Sequence, residues 1–366
     1  MYLKFFEIAF NRQFRHILLY TAVVHCALWI TNSSQAQPAG SNTLSLLKMP
    51  SAARTAALGV DYLSIYSPLD VNVGLDNPSL INDSYHRRLT LNYVGLFAGS
   101  HFGSAAYGLK TKLPGTFLFG LHFNSYGLFD GYDEEEVSQG KFFASDIALS
   151  AAWAMAVDSN FSIGASIKPI LSQYETYLAF ALATNVAGSY VSDNKQFAAT
   201  IQARNIGVQV ATFNGTRESL PFDLSAALSY KASRAPFRIF FEMNRLTQWH
   251  LRYDDPLKPE ATTDPYTGQP LTKPWYDGTV KVLDEVARHA LLGVEADIKS
   301  VFFVRLGYRY RQNAEMGADA RTNINISGFT YGFGIRTKKF EFAFARRNYH
   351  LGQAPNYISL SLKLYP

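Results

Sequence analysis

Cysteine is almost missing from this 366-residue chain, with Cys26 the only one. A disulfide framework is excluded, so stability must come from core packing or from a closed sheet. Long apolar runs are missing too. The longest, Ile17 to Ile30 in "ILLYTAVVHCALWI", falls short of the ~20 residues that a membrane-crossing helix needs. Charged residues make up only 17% of the chain, and no basic stripe marks a nucleic-acid surface. The histidines show no H-x-x-x-H or H-x-H spacing, so no metal site is expected. No G-x-S-x-G is present, so a lipase-like nucleophile has no support.

What the chain has instead is aromatic residues, 14% of the total, with 27 Phe and 22 Tyr. Mean hydropathy is close to zero. That excludes a bundle of membrane helices but not a membrane barrel, where apolar and polar residues alternate and cancel.

The start reads as a secretory signal. Lys4, Arg12 and Arg15 precede the apolar run, and Ser34 and Ala36 carry the small-residue spacing of a cleavage site. Residues 1–36 are thus expected to be a signal peptide cut near Ala36. Its loss removes Cys26 and a net two positive charges, leaving +3 from +5.

Period two dominates the rest. In "TFLFGLHFN" Phe117, Phe119, Leu121 and Phe123 oppose Gly120, His122 and Asn124. In "GFTYGFGIR" Phe329, Tyr331, Phe333 and Ile335 oppose Thr330, Gly332 and Gly334. The last stretch, "YISLSLKLY", alternates almost to the end of the chain. A soluble sandwich would carry Lys and Glu on its wet face. Here the polar faces are small and mixed, as in a crowded lumen. About fourteen strands are expected from residue 86 onward, with short connections such as "LPG", "DSN" and "TKK" on one rim. Long ones are expected on the other, among them Leu128 to Phe142, Asn205 to Ser219 and Trp249 to Glu285. The fold expected is all-β: a transmembrane antiparallel β-barrel of about fourteen strands over residues 86–366. Residues 37–85 lack strand periodicity, contain the helix-friendly "SAARTAALG" and the turn "DNPSL", and are expected to fold back as a plug.

The stretches "MPSAARTAALG" and "DNPSL" resemble the N-terminal signature of FadL-like outer-membrane proteins. Together with "YGLFDGYDEEEVSQGKFFASDIALS", "LPFDLSAALSYKASRAPFRI", "LGYRYR" and "GFTYGFGI", they resemble the PorQ family of the Bacteroidetes type IX secretion system. The resemblance covers most of the chain. It departs at Ser79, where the family pattern has alanine, and at Val60, where it has a second glycine. It implies that Gly59, Asn77 and Pro78 form the plug motif. It further implies a non-enzymatic barrel in the outer membrane that holds a PorZ-like surface protein in a cargo-attachment complex with PorU and PorV. No cofactor is implied. The alternative is a FadL-type channel for hydrophobic small molecules.

Three groups of residues stand out beyond the plug motif. Arg305 and Arg309, with Glu295 and Asp297 on the neighbouring strand, are expected to form an ion network in the lumen. Trp249, Tyr253, Tyr266, Trp275 and Tyr276, on a long proline-bearing connection, are candidate anchors for a partner. Ser138-Gln139-Gly140-Lys141 and Ser192-Asp193-Asn194 match S-x-x-K and S-D-N, but K-T-G is missing and the serine does not open a helix, so no catalytic residue is assigned.

Overall fold

A computed structural model describes residues 44–96, 99–133, 135–252, 277–316, 326–348 and 354–364. The expected signal with Ala36 and Cys26, and Tyr253, Tyr266, Trp275 and Tyr276, lie outside the described residues.

Fourteen strands form the wall. They are β1 (Arg88–Gly95), β2 (His101–Lys110), β3 (Thr116–Tyr132), β4 (Ser138–Ala156), β5 (Phe161–Tyr174), β6 (Tyr177–Val191) and β7 (Phe197–Ala211), followed by β8 (Asp223–Lys231), β9 (Phe237–Met243), β10 (Ala290–Ile298), β11 (Phe302–Arg309), β12 (Phe329–Arg336), β13 (Phe340–Arg347) and β14 (Asn356–Lys363). Each pairs antiparallel with its neighbour in sequence, and β1 pairs with β14 to close the barrel. Closure leaves no strand edge in hydrocarbon, which a membrane-spanning sheet requires.

The alternation does the sorting. Along β14, Ile358 is 41% exposed on the outer face, while Ser359 and Ser361 are buried toward the lumen. Leu149, Ile163, Phe333 and Leu306 are likewise exposed, and Ser150, Gly164, Gly334 and Arg305 are buried or face inward. An outward apolar band over an inward polar face is the pattern that lipid imposes.

The even-numbered strands end in short turns, residues 111–115, 157–160, 192–196, 232–236, 299–301 and 337–339. By the usual asymmetry of such barrels this rim is periplasmic and the other extracellular. Two expectations for the outer rim need correction. Leu128 to Phe142 is a strand hairpin with a tip at 133–137, because β3 and β4 stay paired beyond the point where β2 and β5 leave them. The connection after β7 starts only after Ala211. That after β5 is just Glu175 and Thr176. Two helices also occur, α3 (Asp277–His289) and α4 (Tyr310–Met316), each directly flanking a strand. Two shorter ones lie ahead of the wall, α1 (Ala53–Ala57) and α2 (Asn72–Asp76).

The segment from residue 44 to 87 runs inside the barrel. Leu58, Leu63, Val71 and Val73 have no exposed surface, and Leu63 and Val73 pack with Phe240 and Leu291 of the wall. Each such side chain contributes roughly 1.5–3 kcal/mol of burial.

Candidate functional site: the inner segment and its ionic anchors

Small residues let this segment sit against the wall. Gly59 stops α1 with φ of +66°, its N–H donating to the Ala56 carbonyl at 3.2 Å. The following turn presses Leu58 onto β11, where a Cβ at Gly307 would lie 2.3 Å from the Leu58 carbonyl carbon. Asn77 and Pro78 press on the opposite wall. Asn77 Nδ2 donates to the Leu63 carbonyl and to Thr200 Oγ1 of β7, both at 3.2 Å. A Cβ at Gly164 of β5 would lie 2.4 Å from the carbonyl of Pro78. Ser79 donates to Asn77 Oδ1 at 2.7 Å and lies 2.6 Å from Ser189 Oγ of β6. Its hydroxyl therefore has work at a position where the FadL-like pattern carries alanine.

The inner segment also reaches both strands of the seam. Ala53 N donates to Ser359 Oγ of β14 at 2.8 Å. Thr90 Oγ1 and Asn92 Nδ2 of β1 donate to Asn72 Oδ1 at 3.1 and 2.8 Å.

Two clusters of buried charge complete the fixation. Toward the periplasmic rim, Arg54 of α1 meets Glu295 of β10 at 2.6 Å and Asp70 at 3.2 Å. Glu295 also accepts from Arg305 at 2.7 Å, its partner directly across β10 and β11. Arg305 lies 3.7 Å from Glu341 of β13, which holds Arg336 at 2.7 Å. Three guanidiniums thus face three carboxylates, which lowers the cost of burying either sign. Burial opposes the charge on Arg54, but Glu295, Asp70 and Glu341 outweigh it and hold the guanidinium pKa above its usual range.

Toward the extracellular rim the centre is Asp61. It accepts from Arg309 of β11 at 2.8 Å and from Asn244 at 2.7 Å, and lies 3.7 Å from Arg204 of β7. Arg204 bridges to Asp223 of β8 at 2.8 Å. Glu242 of β9 accepts from the Asp61 backbone N–H at 2.7 Å. Burial alone would raise the Asp61 carboxyl, yet Arg309, Arg204 and Arg347 hold it well below the usual carboxylate range.

The four residues expected to form one lumen network are therefore divided. Glu295 and Arg305 are joined, Arg309 serves the other cluster, and Asp297 pairs with Lys231 at 3.1 Å on the rim. Asp297 stands opposite Phe303 across the strands, so no arginine is in register with it. The acids and bases supplied by the inner segment, Arg54, Asp61 and Asp70, were not legible as partners, although charges inside an Ala- and Leu-rich stretch were a signal. Of the aromatic anchors, Trp249 is 47% exposed and stacks on buried His289 of α3 with ring centroids 5.1 Å apart. Ser138 and Lys141 lie exposed on the outer part of β4, Lys141 facing Asp130 at 3.4 Å, whereas Ser192 and Asn194 sit in a turn at the other rim.

A narrow polar cleft remains between the inner segment and the wall. Asp61, Asp76, Lys168 and Arg204 line it together with Leu46, Met49 and His122. Buried charges disfavour an apolar occupant.

The wall, its closure and its banded surface define an outer-membrane β-barrel. Among solved structures, the chain is similar to the toluene transporter TbuX of Ralstonia pickettii, with 9% identity, 88% of this chain and 100% of that chain covered, and a TM-score of 0.50. It also aligns with the toluene transporter TodX of Pseudomonas putida at 12% identity, covering 86% and 98%, with a TM-score of 0.49. A FadL homologue of Pseudomonas aeruginosa aligns at 11% identity, covering 87% and 100%, with a TM-score of 0.46. The fold is FadL-like. No protein-family profile matches the sequence, and no curated protein matches it either.

Proposed function

We propose that this protein is a non-enzymatic outer-membrane barrel of a type IX secretion system, a PorQ-like component that holds a PorZ-like surface protein beside PorU and PorV. On this reading residues 1–36 are a signal removed near Ala36. The observation that carries the scaffold half of the reading is the pair of ionic clusters that tie the inner segment to the wall. Anchors that hold the inner segment to the wall toward both rims oppose its displacement, which a path through the lumen would require. A scaffold that must hold an external protein gains from them. The partner itself rests on the resemblance of "MPSAARTAALG", "DNPSL" and the later stretches.

Co-purification tests it. The tagged full-length protein, extracted gently from its native outer membrane, should bring down secretion-system components. Recovery of the barrel alone would overturn the proposal. The second reading, a channel for hydrophobic small molecules, is supported by the shared fold and requires an apolar path. The charged lining of the cleft weighs against it. Uptake of a monoaromatic hydrocarbon that vanished on deletion of the gene would favour it.

A further inference from the structure

The sheet does not stop where the bilayer does. β2 pairs with β3 only as far as His101 opposite Ser125, and β5 pairs with β4 only from Tyr174 opposite Ala144. From Thr116 to Ser125 β3 already has the ~9–11 residues that a tilted strand needs to span. Beyond that, residues 128–132 and 138–143 are paired by strand only with each other, among the described residues. They form a two-stranded ribbon standing outside the membrane. Such a ribbon is marginal in water, and each open edge offers backbone donors and acceptors to another chain.

Each face of the ribbon carries an apolar pair, and one adds the ion pair of Asp130 with Lys141. Leu128 stands opposite Phe143, and Phe129 stacks on Phe142 with centroids 5.4 Å apart. Leu128 is 69% and Tyr132 65% exposed. The tip is built rather than loose: Asp133 accepts from Glu135 N, Val137 N and Gln139 Nε2 at 3.0, 2.8 and 2.9 Å. Between 128 and 142 the sequence holds Asp130, Asp133 and Glu134 to Glu136 against Lys141, a net charge of −4.

We infer that the outer edge of β3, from Leu128 to Tyr132, is a docking strand to which a surface protein adds an extended segment bearing Lys or Arg. This rests on the proposed function only in that the barrel holds a partner. Strand addition supplies affinity through main-chain hydrogen bonds and specificity through alternate side chains. The acidic tip selects and steers a basic partner. The β3 edge is favoured over that of β4 because, among the described residues, no strand pairs with it beyond Ser125, whereas the Phe143 carbonyl on the β4 side already accepts from Glu175 N at 3.2 Å. The negative charge argues against an anionic lipid surface as the occupant.

The test uses the full chain in its native outer membrane. Tyr132→Cys, in a Cys26→Ser background, is treated with a thiol-to-amine crosslinker, with and without Asp130→Arg and Glu135→Arg, since arginine reverses the charge without adding a reactive amine. A third form replaces residues 128–142 by Asn-Gly. The expected result is a link to a lysine in an extended segment of another surface protein, reduced at least tenfold by charge reversal. The shortened form should lose that protein while barrel abundance is unchanged. Links only to lipopolysaccharide or to a second copy, no protein adduct, or a yield indifferent to charge reversal would each overturn the inference. Co-purification of secretion components by the wild type judges the proposed function separately. If those components persist with the shortened form, the docking strand fails and the proposed function stands.

Discussion

Arg54 grips Glu295 with two nitrogens at once, Nε 2.9 Å from one carboxylate oxygen and Nη2 2.6 Å from the other, across 241 residues of sequence. Glu295 is shared with Arg305, so the two partners are not equivalent. Glu295→Leu takes the shared carboxylate from two guanidiniums, leaving Arg54 only Asp70 and Arg305 only Glu341, and should cost about 3–5 kcal/mol. Arg54→Met leaves Glu295 paired with Arg305, deprives only Asp70, and should cost less. Urea unfolding in lipid vesicles measures both. Equal, small losses would show that the clasp does not hold the inner segment.

Gly307→Ala places a methyl group where the Leu58 backbone already is. A loss of about 1–3 kcal/mol is expected, with increased protease cleavage between residues 44 and 87. Gly188→Ala, which meets open space, should show neither. A silent Gly307→Ala would mean that the inner segment does not press on β11.

Asp76 gives a pH dependence. Burial raises its carboxyl to about 6, against opposing hydrogen bonds from Ser51 and Thr55 and the charges of Lys168 and Arg204. The folded pKa lies above the unfolded value of about 3.9, so its contribution is complete below pH ~4 and is lost as pH rises through about 6. Two units correspond to at most about 3 kcal/mol, less here because Asp76 is half-buried and water screens it. Asp76→Asn should therefore gain on the wild type in urea midpoint between pH 4 and pH 8. Asp61 has the opposite sign, its contribution present at neutral pH and lost on acidification. A constant gap between Asp76→Asn and wild type across this range would refute the assignment.

Spin labels on single cysteines at 358, 359, 360 and 361, again without Cys26, should alternate in accessibility to oxygen dissolved in lipid. Positions 358 and 360 should be high, and 359 and 361 low. An even profile would rule out the assignment of faces.

The wall was readable because lipid enforces a period of two, and "YISLSLKLY" shows it most clearly. Where the strands leave the bilayer that constraint ends. Residues 128–142, which hold Asp130, Gly131 and Gly140, lack a clean alternation, and the β3–β4 hairpin was read as a long connection. Within the inner segment Gly59, Asn77 and Pro78 were visible as turn chemistry. Their contacts with Thr330, Thr200 and Gly164 were not, because pairing over such separations leaves no local trace.

The contacts of Ala53 with Ser359, and of Asn72 with Thr90 and Asn92, have a consequence for the seam. The first and last strands are thus bridged by a third party as well as by their own ladder. A seam shifted by one residue would turn Ser359, Thr90 and Asn92 away from the inner segment and lose all three bonds, so this stretch helps fix the register in which the barrel closes.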